Sequence, residues 1–300
     1  MNRLSVNIAG VELKNPVITA SGTFNSGKEY ASFIVLNRLG AITVKGVSHE
    51  PWPGNPPPRT AETYGGMLNA VGLQNPGAKA FIRDDLPFMR QFDTKIIVNL
   101  CGKTVEDYIA VARDFQGADI DLLELNISCP NIKAGGMAMG TDPCMTETIT
   151  REVKKYATAP LIVKLSPNVT NIAEIAKAAE AGGADGISLI NTILGMKIDI
   201  HRRKPVLGNG VGGLSGPAIK PVAVRMVNQV AKAVKLPIIG MGGIATGEDA
   251  IEFIMAGATA VAVGMANFTN PRATMEILGG INQYMDMYNV QNISELRGII

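Results

Sequence analysis

Short, continuously apolar runs rich in β-branched residues alternate along the chain with longer stretches whose apolar positions recur at helical spacing. Leu161-Ile162-Val163 is of the first kind: a strand covered on both faces has no polar side to present, so its run is unbroken. Asn171-Ile172-Ala173-Glu174-Ile175-Ala176-Lys177 is of the second, with its apolar side chains gathered on one stripe. On this reading strands are expected over 17–20, 41–45, 95–100, 122–126, 161–165, 186–190, 237–240 and 260–263. Helices are expected over 28–36, 77–91, 103–115, 142–156, 171–181, 216–234, 247–256 and 271–287.

Eight βα units are what a closed (β/α)8 TIM barrel requires, so the fold class expected is α/β with that topology. An open doubly wound sheet shares the periodicity, but no Gly-x-Gly-x-x-Gly turn follows the first strand. Residues 5–8 and 11–13, around Ala9-Gly10, read as an N-terminal β-hairpin able to plug the barrel floor. Two connections are long. Residues 46–75 contain Pro51-Trp52-Pro53-Gly54-Asn55-Pro56-Pro57-Pro58, and residues 191–215 contain the basic run His201-Arg202-Arg203-Lys204. Long ordered loops usually serve as lids or binding segments. No interdomain linker is evident, so residues 1–300 are expected to form a single domain.

Composition narrows the function classes. The hydrophobic content of 46% with 33 glycines suits a buried core joined by tight turns. A formal charge of +2, from 28 basic and 26 acidic residues, makes no electrostatic case for nucleic acid or a membrane surface. The N-terminus lacks the apolar core of a signal peptide, and no apolar stretch is long enough to span a bilayer. Three cysteines, Cys101, Cys129 and Cys144, form neither a CxxC pair nor a disulfide framework, which fits a reducing cytoplasm. Three thiolates cannot supply the four of an ordinary iron–sulfur cluster, and with two histidines no metal site is expected.

Candidate chemistry lies where barrel enzymes build their sites, at the C-terminal strand ends. Those ends read Ala20-Ser21-Gly22, Lys45-Gly46, Asn99, Asn126, Lys164, Asn191-Thr192, Gly242-Gly243 and Gly264. Any one has a plain explanation, since Asn and Gly end strands routinely. Together, with two lysines adjoining buried strands, they mark a site. Asn126-Ile127-Ser128-Cys129-Pro130-Asn131 follows an apolar run and brings a thiol that can remove a proton beside amides that can hold a planar polar ligand. A lone cysteine is more often an inert small hydrophobe, so the weight comes from its company. Lys164 interrupts the apolar 161–165 run, where an unpaired ammonium would be costly. It is either a salt bridge beneath the rim or a fixed cation beside a group that gains negative charge on reduction. Gly240-Met241-Gly242-Gly243-Ile244 and Val263-Gly264-Met265-Ala266 suit a phosphate site, where glycines let backbone N–H groups approach an anion.

Taken together, Asn126 to Asn131, Lys45-Gly46, Asn69-Ala70-Val71-Gly72-Leu73, Lys164-Leu165-Ser166-Pro167, Gly212-Gly213-Leu214-Ser215-Gly216 and Gly240 to Gly243 resemble the class 1 dihydroorotate dehydrogenases, over essentially the whole chain. Class 2 enzymes are less similar, having a serine base and an N-terminal membrane-associating extension. The resemblance implies oxidation of dihydroorotate to orotate in pyrimidine (UMP) synthesis, with Cys129 as the base, hydride passing to FMN, and Lys164 stabilising the reduced flavin. It implies flavin contacts from Ser21, Lys45, Gly46, Asn99, Asn126, Lys164, Ile190 and Gly216, with the phosphate on Gly242, Gly243, Gly264 and Met265. Met265 stands where the family's pattern leads us to expect Thr. A backbone contact would tolerate that change and a hydroxyl contact would not. Substrate contacts are implied for Lys45, Asn69, Ala70, Val71, Gly72, Leu73, Asn126, Asn131, Asn191 and Thr192.

Lys45-Gly46-Val47-Ser48 and the 69–73 motif are most similar to the NAD-linked 1B branch. That branch pairs an FMN barrel with a second subunit carrying FAD and a [2Fe–2S] cluster, in a heterotetramer around a barrel homodimer. The rivals are a stand-alone, fumarate-linked 1A enzyme and, more distantly, a phosphosugar isomerase or lyase using the phosphate cradle without flavin.

Overall fold

The computed structural model describes residues 2–128 and 139–300. An antiparallel hairpin, β1 (Val6–Ile8) and β2 (Val11–Leu13), comes first. Eight parallel strands then close into a barrel: β3 (Val17–Thr19), β4 (Ala41–Thr43), β7 (Lys95–Leu100), β8 (Leu122–Asn126), β9 (Leu161–Lys164), β10 (Gly186–Leu189), β15 (Ile238–Met241) and β16 (Ala260–Val263). Neighbours follow chain order, and β16 pairs with β3 to complete the circle. Closure is the point that periodicity could not settle.

Side chains alternate between the two faces of a strand, so each barrel strand sends every second residue inward. At the floor those residues are apolar. Ile18, Ala41, Ile97, Leu122, Ile162, Ile239 and Ala260 form one buried cluster with Ile8 and Leu13 of the hairpin. The hairpin therefore plugs the N-terminal end of the barrel, as expected. Further along β7 to β10 the inward positions turn polar, Asn99, Glu124, Asn126, Lys164 and Ser188 all being buried, whereas Ala20, Met241 and Ala262 keep the other side apolar. A larger apolar cluster fills the space between the strands and the surrounding helices.

Local chemistry explains where four of the helices begin. Thr104 caps the helix Val105–Asp114 in a reciprocal box with Asp107, and Thr246 does the same for Gly247–Met255 with Asp249. Asp142 and Asn171 accept backbone N–H groups at the starts of Pro143–Lys154 and Ile172–Ala181. The last long helix is Ala273–Met287, preceded by the short helix Ala266–Thr269.

Three expected helices differ. Residues 28–36 form successive turns followed by the 3-10 turn Leu36–Arg38, not a helix. Tyr30, Phe33, Ile34 and Val35 are weak helix formers, and Asn25 and Gly27, at φ of 52° and 86°, set the entering chain into left-handed turns. The 77–91 helix is split into Ala78–Asp84 and Leu86–Met89, because Pro87 has no N–H to continue the ladder. In 216–234 a 3-10 turn, Pro217–Ile219, precedes the helix Lys220–Ala233.

The two long connections are not independent loops. β5 (Thr60–Thr63) and β6 (Gly66–Asn69) lie in the first; β11 (Ile193–Gly195) and β14 (Gly212–Ser215) belong to the second. They join as one antiparallel sheet in the order β11-β14-β6-β5, with Gly213 opposite Asn69. A pair of two-residue strands, β12 (Ile198–Asp199) and β13 (Lys204–Pro205), extends from the second connection beside the basic run. Glycines hide this sheet from sequence patterning, yet the packing requires them: a Cβ on Gly212 would stand 2.7 Å from the Asn69 carbonyl, and one on Gly213 would overlap the Thr192 hydroxyl.

Candidate active site

A cavity of about 850 Å³ lies between the C-terminal ends of the barrel strands and the four-stranded sheet. Ser21, Lys45, Gly46, Asn99, Asn126, Lys164, Ile190, Gly216, Gly242, Gly243, Gly264 and Met265 all line it. So do Asn69, Val71, Gly72, Leu73, Asn191 and Thr192. Ala70 does not: it is fully buried in a small cluster with Leu68 and Leu207. Cys129 and Asn131 lie outside the described residues.

The floor of the cavity is ionic. The Lys164 ammonium donates to Ser21 Oγ at 3.0 Å and stands 3.6 Å from Glu124 Oε2. Both charged side chains are almost fully buried, at 5% and 2% exposure, so each needs the other. The salt bridge beneath the rim is thus present, and Lys164 also lines the cavity. Ser188 Oγ donates to Glu124 Oε1 at 2.7 Å, and Asn99 Nδ2 donates to Oε2. Asn99 Oδ1 in turn accepts from Asn126 Nδ2 at 3.2 Å.

Glu124 and Ser188 were not picked out from the sequence, although the signal existed. Glu124 interrupts Leu122-Leu123-Glu124-Leu125 as Lys164 interrupts its own strand. Asn75 was missed too. Its Oδ1 accepts from the N–H groups of Ser48 (3.1 Å) and Gly77 (2.9 Å), and its Nδ2 donates to the Leu73 carbonyl at 2.8 Å, which ties down the first long connection.

Gly46 and Gly22 hold space beside the lysines. A Cβ on Gly46 would come within 2.9 Å of Asn99 Oδ1, and one on Gly22 within 3.2 Å of Lys45 Nζ. At the far end the chain turns through Gly242 and Gly243, at φ of 126° and 84°. Side chains there would meet Ala223 Cβ and Lys220 Cβ, each at 2.8 Å. Gly264 differs: a Cβ there would make ordinary contacts with Ala20 Cβ at 3.5 Å and Thr23 Cγ2 at 4.0 Å, so neither neighbour demands the glycine. A group occupying the cavity would. Together these turns make a cradle of backbone suited to a phosphate. Met265 contributes no hydroxyl and turns its sulfur towards Gly216.

Behind the cradle Lys220 Nζ donates to Asp249 Oδ1 at 2.7 Å and to Glu252 Oε2 at 2.6 Å. Those hydrogen bonds hold the Lys220 ammonium above its ordinary pKa. Burial pushes the Asp249 carboxyl up. Hydrogen bonds from Lys220 and from the N–H groups of Ala245 and Thr246 outweigh it and hold the carboxyl below its usual range.

The residues present fit a flavin mononucleotide: a glycine cradle for its phosphate, and amides with a buried cation for a ring whose edge offers donors and acceptors. Among the described residues, no helix is long and apolar enough to cross a membrane.

The family model for dihydroorotate dehydrogenase matches residues 3–285. The chain is 70% identical over 295 residues to the catalytic subunit of dihydroorotate dehydrogenase B (NAD(+)) from Alkaliphilus oremlandii, with 98% of each chain covered. It is 68% identical to the protein of that name from Alkaliphilus metalliredigens, again over 98% of each chain. For its counterpart from Lachnoclostridium phytofermentans the identity is 64%, over 99% of each. An α/β barrel with this rim, matched over nearly its whole length, belongs to the dihydroorotate dehydrogenase family.

Proposed function

We propose that this chain is the FMN-binding catalytic subunit of an NAD-linked dihydroorotate dehydrogenase, which oxidises dihydroorotate to orotate in pyrimidine synthesis. The observation that carries this reading is one cavity in which two lysines and four asparagine amides face a glycine cradle at its far end. Near-full-length similarity to dihydroorotate dehydrogenase B catalytic subunits supports the NAD-linked branch.

Ser21, Asn99, Asn126 and Lys164 would hold the flavin ring, with Lys45, Gly46, Ile190 and Gly216 around it, and Gly242, Gly243, Gly264 and Met265 its phosphate. When bound, FMN supplies the two-electron acceptor for the oxidation. Lys45, Asn69, Val71, Gly72, Leu73, Asn126, Asn191 and Thr192 line the cavity where a flat pyrimidine can be gripped by paired donors and acceptors, and the sheet above them limits water. Ala70 would support that wall from behind. The family resemblance assigns proton removal to the Cys129 thiolate and a further substrate contact to Asn131. Lys164, paired with Glu124 at the cavity floor, would lie where negative charge would develop on a bound acceptor.

The relatives' designation as a catalytic subunit supports a partner chain. With three cysteines here, a [2Fe–2S] cluster and the FAD would sit on that partner, in a cytoplasmic heterotetramer around a barrel dimer that passes electrons to NAD. The deciding experiment adds dihydroorotate to the purified yellow protein without oxygen. The flavin absorption band should bleach and orotate appear; an unbleached band overturns the reading. Turnover with NAD only when the partner is present, and none with fumarate, would establish the 1B branch.

A further inference from the structure

Glu124 lies one layer below the rim, touches nothing in the cavity directly, and is nevertheless the end of a one-way hydrogen-bond chain. Asn99 Nδ2 donates to its Oε2. Asn126 Nδ2 donates to Asn99 Oδ1 at 3.2 Å, and Ser128 Oγ donates to Asn126 Oδ1 at 3.1 Å. Asn191 Nδ2 donates to Ser128 Oγ at 2.8 Å, and Asn191 Oδ1 accepts the Thr192 N–H at 2.7 Å. The run crosses from β7 and β8 to the segment after β10, and its amides line the cavity.

An asparagine amide has a donor end and an acceptor end of nearly the same shape, so its polarity at a site is decided by its partners. An ionised carboxylate only accepts. Glu124 therefore forces the NH2 of Asn99 downward and its oxygen upward, where that oxygen meets the NH2 of Asn126. A reversed Asn99 would set its donor against the donor of Asn126. At the other end the backbone N–H groups of Ser128 and Thr192 impose the same direction. Glu124 is the anchor from the barrel interior.

We propose that Glu124 is a positioning residue: it fixes which way Asn99 faces and so, together with the backbone N–H groups of Ser128 and Thr192, the donor and acceptor pattern that the rim amides offer to the ligand. This rests on the dihydroorotate reading. Its salt bridge to Lys164 is a separate contribution, and one pair of substitutions separates the two. In Glu124→Gln the amide oxygen takes the place of Oε2, and its NH2 points at Ser188, whose hydroxyl rotates to accept. The charge is lost while the acceptor for Asn99 is kept. In Glu124→Met both are lost.

The test reads binding, not turnover. Orotate is titrated into the oxidised, FMN-loaded proteins and followed by the change in flavin absorbance. FMN is titrated into the apoproteins by fluorescence quenching, and thermal unfolding of each protein is recorded. Glu124→Gln should bind orotate within threefold of the parent, and Glu124→Met at least tenfold more weakly, whatever the order of their melting temperatures. A Met variant with parental orotate affinity, or equal losses in both variants, overturns the proposal. Should Glu124→Met fail to fold, Glu124→Met/Lys164→Met is compared with Lys164→Met alone, and the same tenfold difference is required. The parent is first reduced with dihydroorotate. If its flavin does not bleach, the functional reading fails and takes this proposal with it; if it bleaches and the variants bind alike, only the role of Glu124 fails.

Discussion

The sulfur of Met265 lies 2.5 Å from where a Cβ on Gly216 would stand, so a side chain at 216 would have to displace it. The same Cβ would approach Gly66 Cα at 2.6 Å, and Gly216 has a φ of 108°. Gly66 opens β6, Gly216 follows β14 and Met265 follows β16, so three separate segments converge there.

Gly216→Ala should therefore lower FMN affinity at least about tenfold and lower stability by roughly 1–2 kcal/mol, from left-handed strain plus overlap. Flavin titration of the apoprotein and urea unfolding measure the two effects. An alanine variant that binds flavin like the parent would show that the rim is looser than this packing.

Lys164→Met removes a buried ammonium held 3.0 Å from Ser21 Oγ. Flavin content after gel filtration should fall, and anaerobic flavin reduction by dihydroorotate should slow roughly 100-fold, the scale of losing one preorganised donor to a developing charge. Unchanged reduction would make the lysine structural only.

Cys129→Ser should retain bound FMN and lose about 100-fold or more in turnover, as expected for removal of a general base. An ordinary thiol ionises near about 8.5 and a serine hydroxyl far less readily, so the residual rate should climb steadily into alkaline solution. A pH-rate profile of the parent and variant compares them directly, and coincident profiles would remove the thiol from proton transfer.

Asp249→Asn can keep an oxygen on the Ala245 and Thr246 N–H groups but turns its NH2 towards Lys220, so it loses that charged bond and should cost about 1 kcal/mol at neutral pH. The folded carboxyl is held below the ordinary value of 3.8, so its contribution is complete above that range and is lost as pH falls through the folded value. The Lys220 ammonium is raised above 10.5, and its contribution disappears only as pH rises through that higher value. The gap in unfolding free energy between parent and variant should hold from pH 6 to 8 and close in acid; a gap that widens in acid would contradict the assigned cause.

Much of this protein was legible in the order of its residues, because strand and helix periodicities are local. The eight barrel strands, the plugging hairpin and the polar groups at the strand ends all follow from runs a few residues long. Lys164 stood out because a charge in an apolar strand is costly wherever the strand goes. Glu124 carried the same signal and was overlooked, since its partners Asn99, Lys164 and Ser188 come from three other strands and meet it only after closure. The sheet made from the two long connections was invisible for a related reason. Its glycine-rich strands have no alternating pattern, and the pairing of Gly213 with Asn69 joins residues far apart in the chain. The residue order determined which side chains stand at the rim. Tertiary structure alone decided which way their amides point, because an amide takes its direction from the donors and acceptors that folding brings around it.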